Sequence, residues 1–135
     1  MEVIVLDTHV LIWVTQDCDI LGQEARDAID AALGNNELFV SAISFWEMTM
    51  LQYRNQLEMV MPLRTWRTRL LQAGVREAPI DGEVGLLAVE LEGLTPDPAD
   101  RMIAATSVLL SATLITADEA ILKWPGTLRR MDARA

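Results

Sequence analysis

Val3-Ile4-Val5-Leu6-Asp7 is the stretch from which the fold is read. Its first four residues are apolar and mostly β-branched, which favours extended backbone and leaves no polar face. A strand with one side in water alternates; a continuous apolar run marks a strand buried on both faces, as in a parallel sheet. Leu38-Phe39-Val40, ending at Ser41, and Thr113-Leu114-Ile115-Thr116, ending near Asp118, repeat the pattern. Val75–Ala78 and Thr127–Met131 are fainter versions.

Helical periodicity fills the intervals. Ala25, Ile29, Ala32 and Leu33 share one face, stopped by Gly34-Asn35-Asn36. A helix over Ser44–Arg54 follows the second run, and Leu63, Trp66 and Leu70 make a further face behind Pro62. Val84, Leu87, Ala88 and Leu91 form another, opened by Asp81 and closed by Gly93. Asp100–Ser111 is small or apolar nearly all round, so that helix is expected in the middle of the protein. Strands alternating with helices predict an α/β fold, a three-layer α/β/α sandwich with a mainly parallel central sheet. The 135 residues are expected to form one domain, 1–135. Ligands of such sheets bind beyond the carboxyl ends of the strands.

The formal net charge is −9, which excludes non-specific nucleic-acid binding through overall positive charge. Cys18 is the lone cysteine and His9 the lone histidine, which excludes an internal disulfide and a zinc site built on several Cys or His ligands. Met1-Glu2-Val3 shows no leader pattern, and the uncharged stretch Met102–Ala117 is shorter than the ~20 residues of a membrane span. A cytoplasmic protein with no membrane association is expected. No glycine-rich phosphate loop or nucleophile elbow is present.

Acids recur at the predicted strand ends. Asp7 ends the first strand, Glu47 follows the second, Asp97 and Asp100 bracket the start of the central helix, and Asp118 follows the strand after it. A parallel sheet can bring all of these to one edge. Clustered carboxylates stay ionised together only beside cations, and an all-oxygen donor set suits Mg²⁺ or Mn²⁺. Such ions can activate a water for in-line attack on phosphorus. Each acid also has a local explanation. Ser44-Phe45-Trp46-Glu47 and Thr116-Ala117-Asp118-Glu119 match capping boxes, Asp97-Pro98 reads as a helix cap, and Asp7 suits a turn.

Leu6–Trp13 (LDTHVLIW), Ser41–Met48 (SAISFWEM), Asp97–Ser107 (DPADRMIAATS) and Leu114–Ile121 (LITADEAI) together resemble the PIN-domain ribonucleases, and among them the VapC-type toxins. The likeness covers nearly the whole chain; Ser107, where the family usually has Ala, is a minor departure. It implies a metal-dependent endoribonuclease, the toxin of a type II toxin–antitoxin pair. It further implies catalytic and metal-binding roles for Asp7, Glu47, Asp100 and Asp118, with Asp97 as a cap or a group behind the ligands. Thr8 and Thr116 would hold a water at the ion. Expected partners are an RNA substrate, a cognate antitoxin and a second copy in a homodimer.

Other features bear on binding. Arg64, Arg67, Arg69 and Arg76 form a basic cluster, either an RNA or antitoxin surface or a solvated helix face. Arg101 is placed to reach a phosphate or pair with an acid. Trp13, Trp46 and Trp66 are candidates for base stacking or for core. Met48, Met50, Met59 and Met61, with Leu51 and Tyr53, suit a partner groove, a dimer interface or core filling. His9 reads as a structural hydrogen-bond donor or an aid to substrate binding. Two other function classes compete: a receiver-like phosphoacceptor domain, with Lys123 as its late lysine, and a non-catalytic binding module whose acids are caps.

Overall fold

The computed structural model describes residues 2–135; Met1, part of the run read for a leader, lies outside the described residues. Along the chain come β1 (Ile4–Leu6), α1 (Thr8–Thr15), α2 (Gln23–Gly34), β2 (Leu38–Ser41), α3 (Ala42–Tyr53), α4 (Leu63–Gln72), β3 (Arg76–Ala78), α5 (Gly82–Glu90), α6 (Pro98–Leu109), β4 (Thr113–Thr116), α7 (Glu119–Lys123) and β5 (Arg129–Asp132). The strands form one five-stranded sheet in the order β3-β2-β1-β4-β5, and every pairing is parallel.

The continuous apolar runs fill both faces of this sheet. Ile4, Leu6, Leu38, Val40 and Ile115 pack with Val10, Ala25, Ile29, Met48 and Trp66. Val5, Phe39 and Leu114 point the other way, onto Val84, Ala88, Ile103, Ala104 and Ile121. So α2 and α4 cover one face, α5, α6 and α7 cover the other, and α3 reaches both cores through Met48 and Ile43. This is the expected three-layer sandwich; of the Asp100–Ser111 segment, Ile103–Ser107 are buried as read, while Leu109 and Ser111 at its end are exposed.

Leu6 sits opposite Val40 on one side and Ile115 on the other, so the central strands end at one level. The chain first steps outward from β1 to β2 and β3, then crosses to β4 on the far side of β1. The carboxyl ends on either side of that reversal frame a crevice, the usual place for a ligand in an open α/β sheet.

Local readings of the acids change in three places. Asp7 lies in no turn; it caps α1, a helix the sequence reading did not anticipate, and accepts from Thr8 N at 2.8 Å. Ser41, not Ser44, caps α3 by accepting from Ile43 N at 3.2 Å, so Glu47 stands in the second turn and closes no capping box. Asp118, not Thr116, caps α7, accepting from Ala120 N at 2.8 Å and Ile121 N at 3.2 Å. Asp97 is a cap as expected, ahead of Pro98, accepting from Ala99 N at 2.9 Å.

Candidate active site

Asp7, Glu47, Asp97, Asp100 and Asp118 line one cleft of about 270 Å³ at the carboxyl ends of β1, β2 and β4. His9, Trp13, Ala117 and Arg134 complete its wall. The tightest grouping is Glu47, Asp97 and Asp100, with one oxygen of each within 4.8 Å of the others. Asp97 therefore both caps α6 and stands beside two of the expected ligands, a placement the sequence reading left open.

Asp7 forms the floor and is only 4% exposed. Its Oδ1 accepts from Thr8 N, and its Oδ2 accepts from Thr116 Oγ1 at 2.7 Å. The Thr116 hydroxyl also accepts from Asp118 N at 3.1 Å. Thr8 Oγ1 donates to Glu47 Oε1 and shares a 2.9 Å hydrogen bond with Ser44 Oγ. Thr8 and Thr116, expected to hold a water, thus direct their hydroxyl protons to carboxylates. They fix the acids themselves, and Ser44, buried within α3, supports them.

The electrostatics are those of a site short of positive charge. Burial pushes the Asp7 carboxyl above its ordinary value, against the lowering effect of the Thr116 and Thr8 hydrogen bonds. Glu47 is raised, chiefly by burial and further by the charges of Asp7 and Asp97, although the Thr8 hydrogen bond opposes this. Asp100 is pushed up to about 8, first by burial and then by the charges of Asp7, Asp97, Asp118 and Glu47. A divalent cation among these oxygens would relieve both effects. The chemistry of the donor set, all oxygen, fits a hard cation such as Mg²⁺ or Mn²⁺.

The remaining candidates separate. Trp66 is core, Trp13 borders the cleft, and Trp46 is 57% exposed. Met48 is buried, Met59, Met61 and Leu51 pack against the core, and Tyr53 is exposed. The basic cluster is partly neutralised: Arg67 makes a bidentate contact with Glu77, from Nε at 2.7 Å and Nη2 at 2.9 Å. Arg76 lies over the Phe39 ring and donates to Asn36 O. Arg101 pairs with no acid among the described residues; it donates to the carbonyls of Ala88, Leu91 and Leu94, fastening the segment that leads to Asp97. His9 is exposed on the cleft wall, and its side chain makes no hydrogen bond among the described residues. Lys123 pairs with Glu119 at 3.4 Å and does not line the cleft. Sequence reasoning missed Arg134, which only the chain's return at β5 brings to the acids.

Comparison with known proteins agrees with this fold. A family model described as PIN domain matches residues 4–125. Ribonuclease VapC22 of Mycobacterium tuberculosis is 34% identical over 119 residues, 87% of this chain and 88% of the relative. Two solved structures share the fold. A Rickettsia felis VapBC2 structure, bound to a promoter DNA fragment, has a TM-score of 0.68 at 16% identity, covering 96% of this chain and 97% of the other. A toxin–antitoxin complex from Klebsiella pneumoniae has a TM-score of 0.61 at 20% identity, covering 96% of each. With its parallel sheet and its acids gathered where the strands end, this chain belongs to the PIN domain family.

Proposed function

We propose that the protein is a Mg²⁺- or Mn²⁺-dependent endoribonuclease, a single nuclease domain over residues 1–135 that acts as the toxin of a type II toxin–antitoxin pair. The observation that carries this reading is the meeting of Asp7, Glu47, Asp97, Asp100 and Asp118 in one cleft. The relative named a ribonuclease supports the activity, and the structural neighbours taken from toxin–antitoxin complexes support an antitoxin partner. A homodimer acting on RNA in the cytoplasm completes the proposal. Among the described residues, no helix is long and apolar enough to cross a membrane.

Glu47, Asp97, Asp100 and Asp7 would hold the cation, with Asp118 completing the shell. When bound, it supplies an activated water for attack on the phosphodiester and neutralises the charge that builds on phosphorus. The chain's own contribution is positioning. Thr116 and the Thr8 amide orient Asp7, the Thr8 hydroxyl orients Glu47, and the first turn of α6 sets Asp97 and Asp100 side by side. Groups held this way need little rearrangement on the way to the transition state.

Cleavage of single-stranded RNA by the wild type and by Asp7→Asn, with Mn²⁺ and with EDTA, tests the proposal. The expected result is cation-dependent cleavage in the wild type. Asp7→Asn should lose more than the roughly 10–100-fold that removing a supporting group costs. A folded Asp7→Asn protein that keeps cation-dependent cleavage would overturn it. The receiver-like alternative has less support, because its lysine is engaged on α7 away from the acids.

A further inference from the structure

The acidic cleft opens without a break into a second groove. His9, Glu47 and Asp97 wall both; Met50 and Arg54 line the groove and not the cleft, Arg134 lines the cleft and not the groove, and Trp46 stands between the groove and a further pocket beside Phe45 and Arg64. We propose that single-stranded RNA lies along this continuous path, with Arg54 and Arg134 holding phosphates on the two sides of the carboxylates and Trp46 stacking on an unpaired base. The inference rests on the ribonuclease reading and gives its substrate a route and named contacts.

Three observations support it. The first is the state of the arginines. Arg26, Arg76, Arg101, Arg129 and Arg130 all donate to backbone carbonyls, and Arg67 is held by Glu77. Arg54, Arg64 and Arg69 have no side-chain partner among the described residues, and of these three Arg54 alone lines the groove beside the acids. Arg134 forms ion pairs with Asp132 at 3.7 Å and Glu119 at 3.8 Å, between solvent-exposed side chains and longer than a hydrogen bond. Arg54 keeps its donors for a bidentate contact with phosphate oxygens, and Arg134 is held only by exposed ion pairs that a phosphate can replace.

The second is the anchoring of Arg134. Ala133 N donates to Thr116 O at 2.9 Å, Gly22 N donates to Ala133 O at 2.8 Å, and Ala135 O accepts from Glu24 N at 3.0 Å. The residues on both sides of Arg134 are therefore tied to the fold. A Cβ on Gly22 would stand 1.8 Å from Ala135 O, so only glycine lets this segment seat.

The third is Trp46. It precedes Glu47 on α3, and its ring is 57% exposed where the groove meets the acids. An indole is a sequence-tolerant platform for a base, and a base can reach it only when unpaired. The cleft itself repels phosphate, so cations at its two ends are where the backbone would be held.

Fluorescence anisotropy of a short 5′-labelled single-stranded RNA in Ca²⁺, alongside steady-state cleavage in Mn²⁺, tests the path. Trp46→Ala should weaken binding roughly 5- to 150-fold, and Trp46→Phe should restore most of it. Arg54→Gln and Arg134→Gln should each lower the slope of log affinity against log salt by about 0.7. The cleavage defects should fall on KM rather than kcat, and a duplex of the same sequence should bind more weakly. If the wild type cleaves RNA but these variants bind it unchanged, the path is wrong while the ribonuclease reading stands. Unchanged RNA binding by Trp46→Ala, with loss of a co-purifying antitoxin protein, would give the groove to a protein partner and also overturn the path. A wild type that neither binds nor cleaves RNA would overturn both.

Discussion

Thr116 Oγ1 donates to Asp7 Oδ2 at 2.7 Å, joining the ends of β4 and β1 across 109 residues of sequence. This contact holds one oxygen of the cleft's most buried acid and opposes the rise that burial imposes on its carboxyl. Thr116→Val keeps the shape and removes the donor. The expected outcome is a further rise of the Asp7 carboxyl and Mn²⁺ binding about 10–100-fold weaker, read by isothermal titration. An unchanged Mn²⁺ affinity would show that the hydroxyl does not tune Asp7.

Asp100 gives the cation-free protein a defined pH dependence. Its carboxyl sits near 8 in the fold against an ordinary value of 3.8, so the native state holds that proton more tightly than the unfolded chain. Its contribution therefore favours folding at low pH and is lost as pH rises between about 4 and about 8. Thermal melts in EDTA should fall across this window. Mn²⁺ should flatten the curve, and so should Asp100→Asn without any cation. A melting temperature equally flat with and without Asp100 would refute the assignment.

Asp97 caps α6 and, on the proposed function, also holds the cation, and substitution can separate the two roles. Asn at this position keeps an oxygen for the Ala99 amide, so Asp97→Asn should change stability by only a few tenths of a kcal/mol, whereas Asp97→Ala should cost about 1 kcal/mol. Both remove the charge beside Glu47 and Asp100 and should weaken Mn²⁺ binding alike. Urea denaturation paired with titration distinguishes the two roles. If Asp97→Asn binds Mn²⁺ as the wild type does, Asp97 is a cap alone.

Arg101 is expected to matter for folding more than for substrate. Its three carbonyl contacts hold the turn between α5 and α6. Arg101→Met leaves those carbonyls unsatisfied and should cost about 2–4 kcal/mol in urea unfolding. At temperatures where the variant is folded, its salt dependence of RNA binding should match that of the wild type. A reduced salt slope would instead make Arg101 a phosphate contact.

The sheet was legible because doubly buried strands leave an uninterrupted apolar trace, as at Ile4–Leu6 and Leu38-Phe39-Val40. The fainter runs also form strands, at Arg76–Ala78 and Arg129–Asp132. The helix over Thr8–Thr15 was not legible. It is apolar on nearly every side, and without a polar face the 3.6-residue period has nothing to alternate with. The caps were misassigned where two hydroxyl or carboxylate residues compete within a few positions, as Ser41 with Ser44 and Thr116 with Asp118. The acids at the strand ends could be named from parallel topology alone. The threonine hydroxyls that orient them, the position of Arg134 and the duty of Arg101 depend on contacts between distant segments, which spacing along the chain does not encode.

The carbonyl-bound arginines have a consequence for encounters in a crowded solution. A molecule of net charge −9 that fastens much of its positive charge to its own backbone has little with which to hold a passing polyanion. Its outer field turns most nucleic acid away before contact. On the proposed path, a strand would be held only where Arg54 and Arg134 flank the carboxylates, so discrimination would begin with approach before any base is read.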